Sequence, residues 1–198
     1  AGIAGLTIAA VALSGCVSLP FPGAAAPTRT TAASETIRPA SVTIPVMLVS
    51  GATGAGSVGT ATVSIAQGSQ DGMTVEVAES EVSGIGASFR ATAWNAVIVG
   101  TLLTGSAVDA DYRFEMHGHV DGSSAGGIST VALMSLMRGD TLADDVAMTG
   151  TITAGGTIGP VGGIPEKVQA IADSGEFTKA LIPLGSRIST NSAGQQVD

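Results

Sequence analysis

Apolar positions along this chain recur in short runs whose spacing switches between two residues and three to four. The runs at residues 44–49, 60–66 and 73–77 are β-type and are separated by turn residues, which predicts strands. Residues 112–120 alternate more cleanly. Tyr112, Phe114, Met116 and Val120 fall on one face, and Arg113, Glu115, His117 and His119 on the other. Residues 88–103 repeat at helical spacing, with Ser88 as the cap and Trp94, Val97, Ile98 and Leu102 as the expected buried stripe.

A second helix is expected over residues 124–137, closed by Gly139. Strands predicted at residues 145–153 and 157–161 flank Ala154-Gly155-Gly156, a hairpin signal. Pro165 suits the first turn of a third helix that Gly175 closes, and residues 180–182 form a last apolar strand ahead of Pro183. Strands and helices in this order indicate a mixed α/β or α+β domain, with no internal repeat.

The N-terminal residues read differently. Residues 1–12 are small and apolar and lead into Leu13-Ser14-Gly15-Cys16, a tetrapeptide that resembles a bacterial lipobox. Residues 1–19 are therefore expected to be a lipoprotein-type signal segment with a truncated start, and Cys16, the sole cysteine, its lipidated residue. Fewer than ~18–20 apolar residues precede Cys16, which is short for a membrane span. The expectation is a protein anchored by lipid to a membrane on the extracytoplasmic side. Residues 20–40, rich in Pro, Ala, Thr and Ser, read as a flexible linker, and the folded domain is expected over residues 41–198, incomplete at its C-terminus.

Composition narrows the chemistry. The 198 residues suffice for one core, and 44% of them are hydrophobic against 12% charged. A net charge of −8 argues against nucleic acid, which needs clustered Lys and Arg. The loop Gly51-Ala52-Thr53-Gly54-Ala55-Gly56 lacks the following Lys-Ser or Lys-Thr of a phosphate loop, so it is expected to be a hairpin connection. No nucleotide site or other cofactor is expected.

Two glycine-rich junctions carry candidate chemistry. One is Asp121-Gly122-Ser123-Ser124-Ala125-Gly126-Gly127, and the other is Gly162-Gly163-Ile164-Pro165-Glu166-Lys167. The chain has two lysines, Lys167 and Lys179, against six arginines, so a lysine at such a junction stands out. A serine hydroxyl needs a base beside it to act as nucleophile. A lysine can serve if its ammonium is desolvated, because burial lowers the usual pKa of ~10.4 by up to roughly 3–5 units. Ser124 is expected at a helix N-terminus, where its own amide and those of Gly122 and Ser123 could stabilise an oxyanion.

Taken in order, the motifs make a longer pattern. Asp-Gly-x-Ser-Ala-Gly stands at residues 121–126, Asp-Val-Ala-Met-Thr-Gly at 145–150 and Gly-x-x-x-Pro-x-Gly-Gly at 156–163. Glu-Lys follows at 166–167 and Leu-Ile-Pro at 181–183. This segment closely resembles the proteolytic domain of Lon-type proteases, peptidase family S16. The resemblance implies an α+β fold of the Lon protease domain-like (ribosomal protein S5 domain 2-like) type.

It also implies a serine endopeptidase with a Ser–Lys dyad, in which Ser124 is the nucleophile and Lys167 the general base. Thr149 would hydrogen-bond the lysine amine. Asp121 would pair with the lysine, a turn-forming cap being the plainer alternative. Ser123 stands where the family commonly has proline, which loosens the loop before Ser124. His117 and His119 match a histidine pair of the family. With no third ligand near them they are read as polar strand residues rather than a metal site.

The implied substrates are unfolded or flexible polypeptides, cleaved without an ATPase in these residues, with a separate substrate-delivery partner and a homo-oligomeric ring both open. A catalytically silent Lon-like binding or assembly module at the membrane is the alternative, and an esterase using the same dyad is a third reading.

Overall fold

The computed structural model describes residues 37–68, 72–79, 86–106, 109–117 and 122–197. Cys16, the signal segment, most of the linker, His119, Val120 and Asp121 lie outside them. The first hairpin joins β1 (Ala40–Val49) to β2 (Gly56–Gln67), paired antiparallel along the whole of β1. Its glycine loop closes by local bonds: the Ser50 amide donates to the Ala55 carbonyl and the Gly54 amide to the Ser50 carbonyl, each at 2.8 Å. This is the hairpin connection expected of that loop.

β3 (Thr74–Glu79), α1 (Ala87–Thr104) and β4 (Ala110–Met116) complete a four-stranded sheet of order β1-β2-β4-β3. β3 runs parallel to β4, which requires the crossover that α1 supplies. The alternation read at residues 112–116 is realised: Tyr112, Phe114 and Met116 are buried opposite Ile65, Val63 and Ala61 of β2. On the other face Arg113 pairs with Glu76 at 2.6 Å.

Of the stripe expected on α1, Val97 is buried, but the other three residues are not. Ala93, Ala96, Val97 and Gly100 face inward, whereas Trp94, Ile98 and Leu102 are 43%, 38% and 72% exposed. The cause is close approach to α2 (Gly126–Arg138), because a Cβ on Gly100 would lie 3.2 Å from Leu133 Cδ2. Large side chains do not fit there, so small ones pack and the large ones turn outward. Ser88 is not the cap either. Gly86 holds that position, without a side-chain bond.

α2 begins at Gly126, two residues later than expected, and ends as predicted at Gly139, whose φ is +71°. The strand expected over residues 145–153 is two strands, β5 (Val146–Met148) and β6 (Thr151–Ile152). β5 pairs parallel with β8 (Lys179–Leu181), and β6 pairs antiparallel with β7 (Ile158–Gly159). The break falls at Thr149–Gly150, where Gly150 (φ +155°) directs both backbone polar groups to the Ser124 turn instead of a ladder.

α3 (Ile164–Ser174) has Pro165 in its first turn and Gly175 at its C-cap, as the sequence predicts. It covers the opposite side of the β1–β2 hairpin, where Met47, Ala147 and Ile171 form a second small core. A final hairpin, β9 (Ser189–Thr190) with β10 (Gln196–Val197), was not foreseen. The architecture is α+β.

Candidate active site

Ser124 lies in the turn that delivers the chain into α2, closed by the Gly126 amide donating to the Ser123 carbonyl at 3.0 Å. Three bonds fasten this turn to Thr149–Gly150. The Gly150 amide and the Thr149 hydroxyl both donate to the Ser124 carbonyl, at 2.8 and 3.3 Å. The Gly127 amide donates to the Gly150 carbonyl at 2.9 Å. The backbone of Ser124 is thus anchored by the break in the 146–152 strand. The residue itself is half-buried.

Lys167 arrives from the first turn of α3, where its amide donates to the Gly163 carbonyl at 3.0 Å. The residue is 4% exposed, and its Nζ donates to the Thr149 hydroxyl at 3.4 Å. Burial pushes the Lys167 amine below the ordinary lysine range, because the charged form loses its hydration. A chain of contacts therefore runs from the lysine amine through one threonine hydroxyl to the backbone of Ser124.

Ser124 and Lys167 line one cleft of about 430 Å³, with Gly122 and Ser123 at its rim. Of the sequence-derived site residues, the structure brings Gly122, Ser123, Ser124, Thr149 and Lys167 together, and Asp121 lies outside the described residues. Sequence reasoning did not find the rest of the wall: Leu48 and Val49 from the end of β1, Thr151, and the loop Pro160, Val161 and Gly162. The one available signal was Gly163. Its φ of +66° and its packing place a hypothetical Cβ 2.6 Å from Val49 Cγ2, which brings β1 to the head of α3.

His117 is elsewhere, exposed at the end of β4 beside a hollow shared with Ala170 and Asp173. Among the described residues no group of three His, Cys, Asp or Glu side chains could hold a metal ion. Nor is any helix among them long and apolar enough to cross a membrane.

Comparison with known proteins places this geometry in a family context. Residues 115–197 match the family model described as "Lon protease (S16) C-terminal proteolytic domain". "Lon protease 2" of Syntrophobacter fumaroxidans is 51% identical over 78 residues, 36% of this chain and 10% of that relative. "Lon protease" of Methylocella silvestris is 42% identical over 82 residues, 38% of this chain and 10% of the relative. "Lon protease 1" of Herpetosiphon aurantiacus is 46% identical over 76 residues, 35% and 9% of the two chains. The matched part of this chain spans about a tenth of these relatives. The resemblance read from the motifs at 121–183 thus holds, and it extends from residue 115 to residue 197.

Proposed function

We propose that this chain is a serine-type endopeptidase with Lon-like chemistry, using Ser124 as nucleophile and Lys167 as general base. The observation that carries the reading is the buried Lys167 amine, held by Thr149 in the cleft that Ser124 also lines. In the proposed reaction the neutral amine takes the Ser124 proton as Oγ attacks the peptide carbonyl. The resulting oxyanion is held by backbone amides of the Gly122–Ser124 turn, each donor typically supplying about 10²–10³ in rate. The Lys167 ammonium then protonates the leaving amine, and the acyl group stays on Ser124. Water deprotonated by the same amine releases it.

A peptide bond must enter the 430 Å³ cleft in extended form, so the proposed substrates are unfolded or flexible polypeptides. A folded substrate would need a separate delivery partner. Tethering through lipidated Cys16 on the extracytoplasmic side is part of the proposal and is supported by the lipobox-like tetrapeptide. A homo-oligomeric ring is supported by the family likeness alone. Radiolabelled palmitate incorporated by the wild type and lost in Cys16→Ser checks the first, and light scattering the second.

The decisive experiment is Ser124→Ala assayed on a casein-like polypeptide. Cleavage should vanish while the variant stays folded, and full retained activity would refute the assignment. Lys167→Arg should also be inactive, because a guanidinium does not give up its proton near neutral pH.

A further inference from the structure

The first turn of α3, which carries Lys167, is gripped by two hairpins. One is the β1–β2 hairpin: a Cβ on Gly56 would lie 2.0 Å from the Glu166 carbonyl oxygen. The other is the β9–β10 hairpin, whose Ser192 amide donates to the Glu166 carboxylate. That amide, the glutamate's own amide and the Ser192 side chain hold the Glu166 carboxyl below its ordinary pKa. Ser192 also borders the β1–β2 turn, since a Cβ on Gly54 would lie 3.0 Å from Ser192 Cβ. Three elements therefore meet at Glu166, directly preceding Lys167. Glu166 does not line the Ser124 cleft. It borders a separate hollow with Gly54 and Asn191.

The β9–β10 turn is built to present that amide. The Asn191 amide donates to the Gln195 carbonyl and the Gly194 amide to the Asn191 carbonyl, both at 2.9 Å. Asn191 Oδ1 accepts the amides of Ala193 and Gln195 at 3.1 and 2.8 Å. With Gly194 at φ +78° and no positive φ at Ser192 or Ala193, this is a type I turn followed by a left-handed glycine. The Ser192 N–H is left for Glu166. The contact between Lys167 and Thr149 is long, 3.4 Å, so a small movement of α3 would break it.

We propose that Glu166 is a positioning residue: by holding the Ser192 amide it clamps the β9–β10 hairpin to α3 and sets where the Lys167 amine enters the Ser124 cleft. Its kinetic consequence rests on Lys167 being the base, but the placement of the amine does not. The test uses the full 198-residue chain with Glu166→Ala, Glu166→Gln, Ser192→Pro and Ser192→Ala. Proline suits the second position of a type I turn, so Ser192→Pro removes the amide donor and keeps the turn. The chain has two lysines, so ¹³Cε labelling yields two signals whose titrations are read without any activity.

In Glu166→Ala and Ser192→Pro the Lys167 signal should titrate closer to the ordinary lysine range. Their kcat should fall roughly tenfold with KM within about twofold, since a displaced catalytic group costs rate more than binding. Glu166→Gln, which keeps an acceptor, and Ser192→Ala, which keeps the amide, should stay near wild type. If Glu166→Ala fails to fold, Ser192→Pro decides. Unchanged Lys167 titration and kcat in a folded Ser192→Pro would overturn the inference. A wild type that cleaves nothing would instead sink the peptidase reading, and the titration would still judge the clamp.

Discussion

The Lys167 amine reaches the Thr149 hydroxyl at 3.4 Å, and the same hydroxyl reaches the Ser124 carbonyl at 3.3 Å. One side chain thereby sets the lysine against the serine turn, donating to one partner and accepting from the other. Thr149→Val keeps the shape and removes both bonds. The Ser124 carbonyl would retain the Gly150 amide, so the fold should lose only about 1 kcal/mol. Cleavage should fall further, roughly tenfold to a hundredfold in kcat, because the amine is no longer aimed. Thr149→Ser should recover most of the loss in a steady-state peptidase assay.

Burial of Lys167 makes a signed prediction about pH. Its folded pKa lies below the unfolded value of ~10.4, so between the two the unfolded chain binds more protons. Stability should therefore rise with pH across that window. The cost of burying the charged amine is complete below the folded pKa and disappears above ~10.4. Lys167→Met removes the cost and should be more stable than wild type, by a margin that shrinks as pH climbs towards ~10.4. Urea unfolding of both proteins at several pH values checks this, and a margin independent of pH would contradict it. The same titration sets the acidic limb of kcat/KM, expected below the ordinary lysine range.

α1 shows where hydrophobic patterning stops short. The period of residues 88–103 was legible and Val97 was placed correctly, but the rest of the buried side was not. Patterning ranks Trp94, Ile98 and Leu102 above Ala93, Ala96 and Gly100, whereas close helix–helix contact ranks by size in reverse. Leu102→Ser should therefore shift stability by no more than about 0.5 kcal/mol. Ala96→Leu, at a fully buried position, should cost roughly 1–3 kcal/mol. Paired chemical denaturation curves separate the two, and the ranking would reverse if Trp94 and Leu102 were core residues.

The candidate site was more legible than its supports. Ser124, Thr149 and Lys167 stand in motifs whose local chemistry is visible in the chain, a glycine-rich serine turn and a scarce lysine after a glycine pair. The break at Gly150 was not visible, since Thr149 and Gly150 continue an apolar run that reads as one strand. What ends the strand is a partner 25 residues away, the Ser124 turn. The clamp on Glu166 was hidden for the same reason. Asn191 to Gly194 spells a turn, but nothing in it names the carboxylate its free amide meets.

Gly56 tests whether the head of α3 has room to move. A Cβ there would stand 2.0 Å from the Glu166 carbonyl oxygen and 2.6 Å from its carbonyl carbon, both backbone atoms. No side chain can rotate away to relieve that overlap, so Gly56→Ala must shift either the start of β2 or the first turn of α3. The expected cost is about 1–3 kcal/mol in stability. Because Lys167 follows Glu166, kcat should drop with it even in the fraction that remains folded. Gly51→Ala is the matched control in the same hairpin loop. Its Cβ meets nothing within 4 Å and its φ is not positive, so both stability and turnover should stay at wild-type values. Equal behaviour of the two variants would mean that the β1–β2 hairpin does not brace α3, and that Lys167 is held from the β9–β10 side alone.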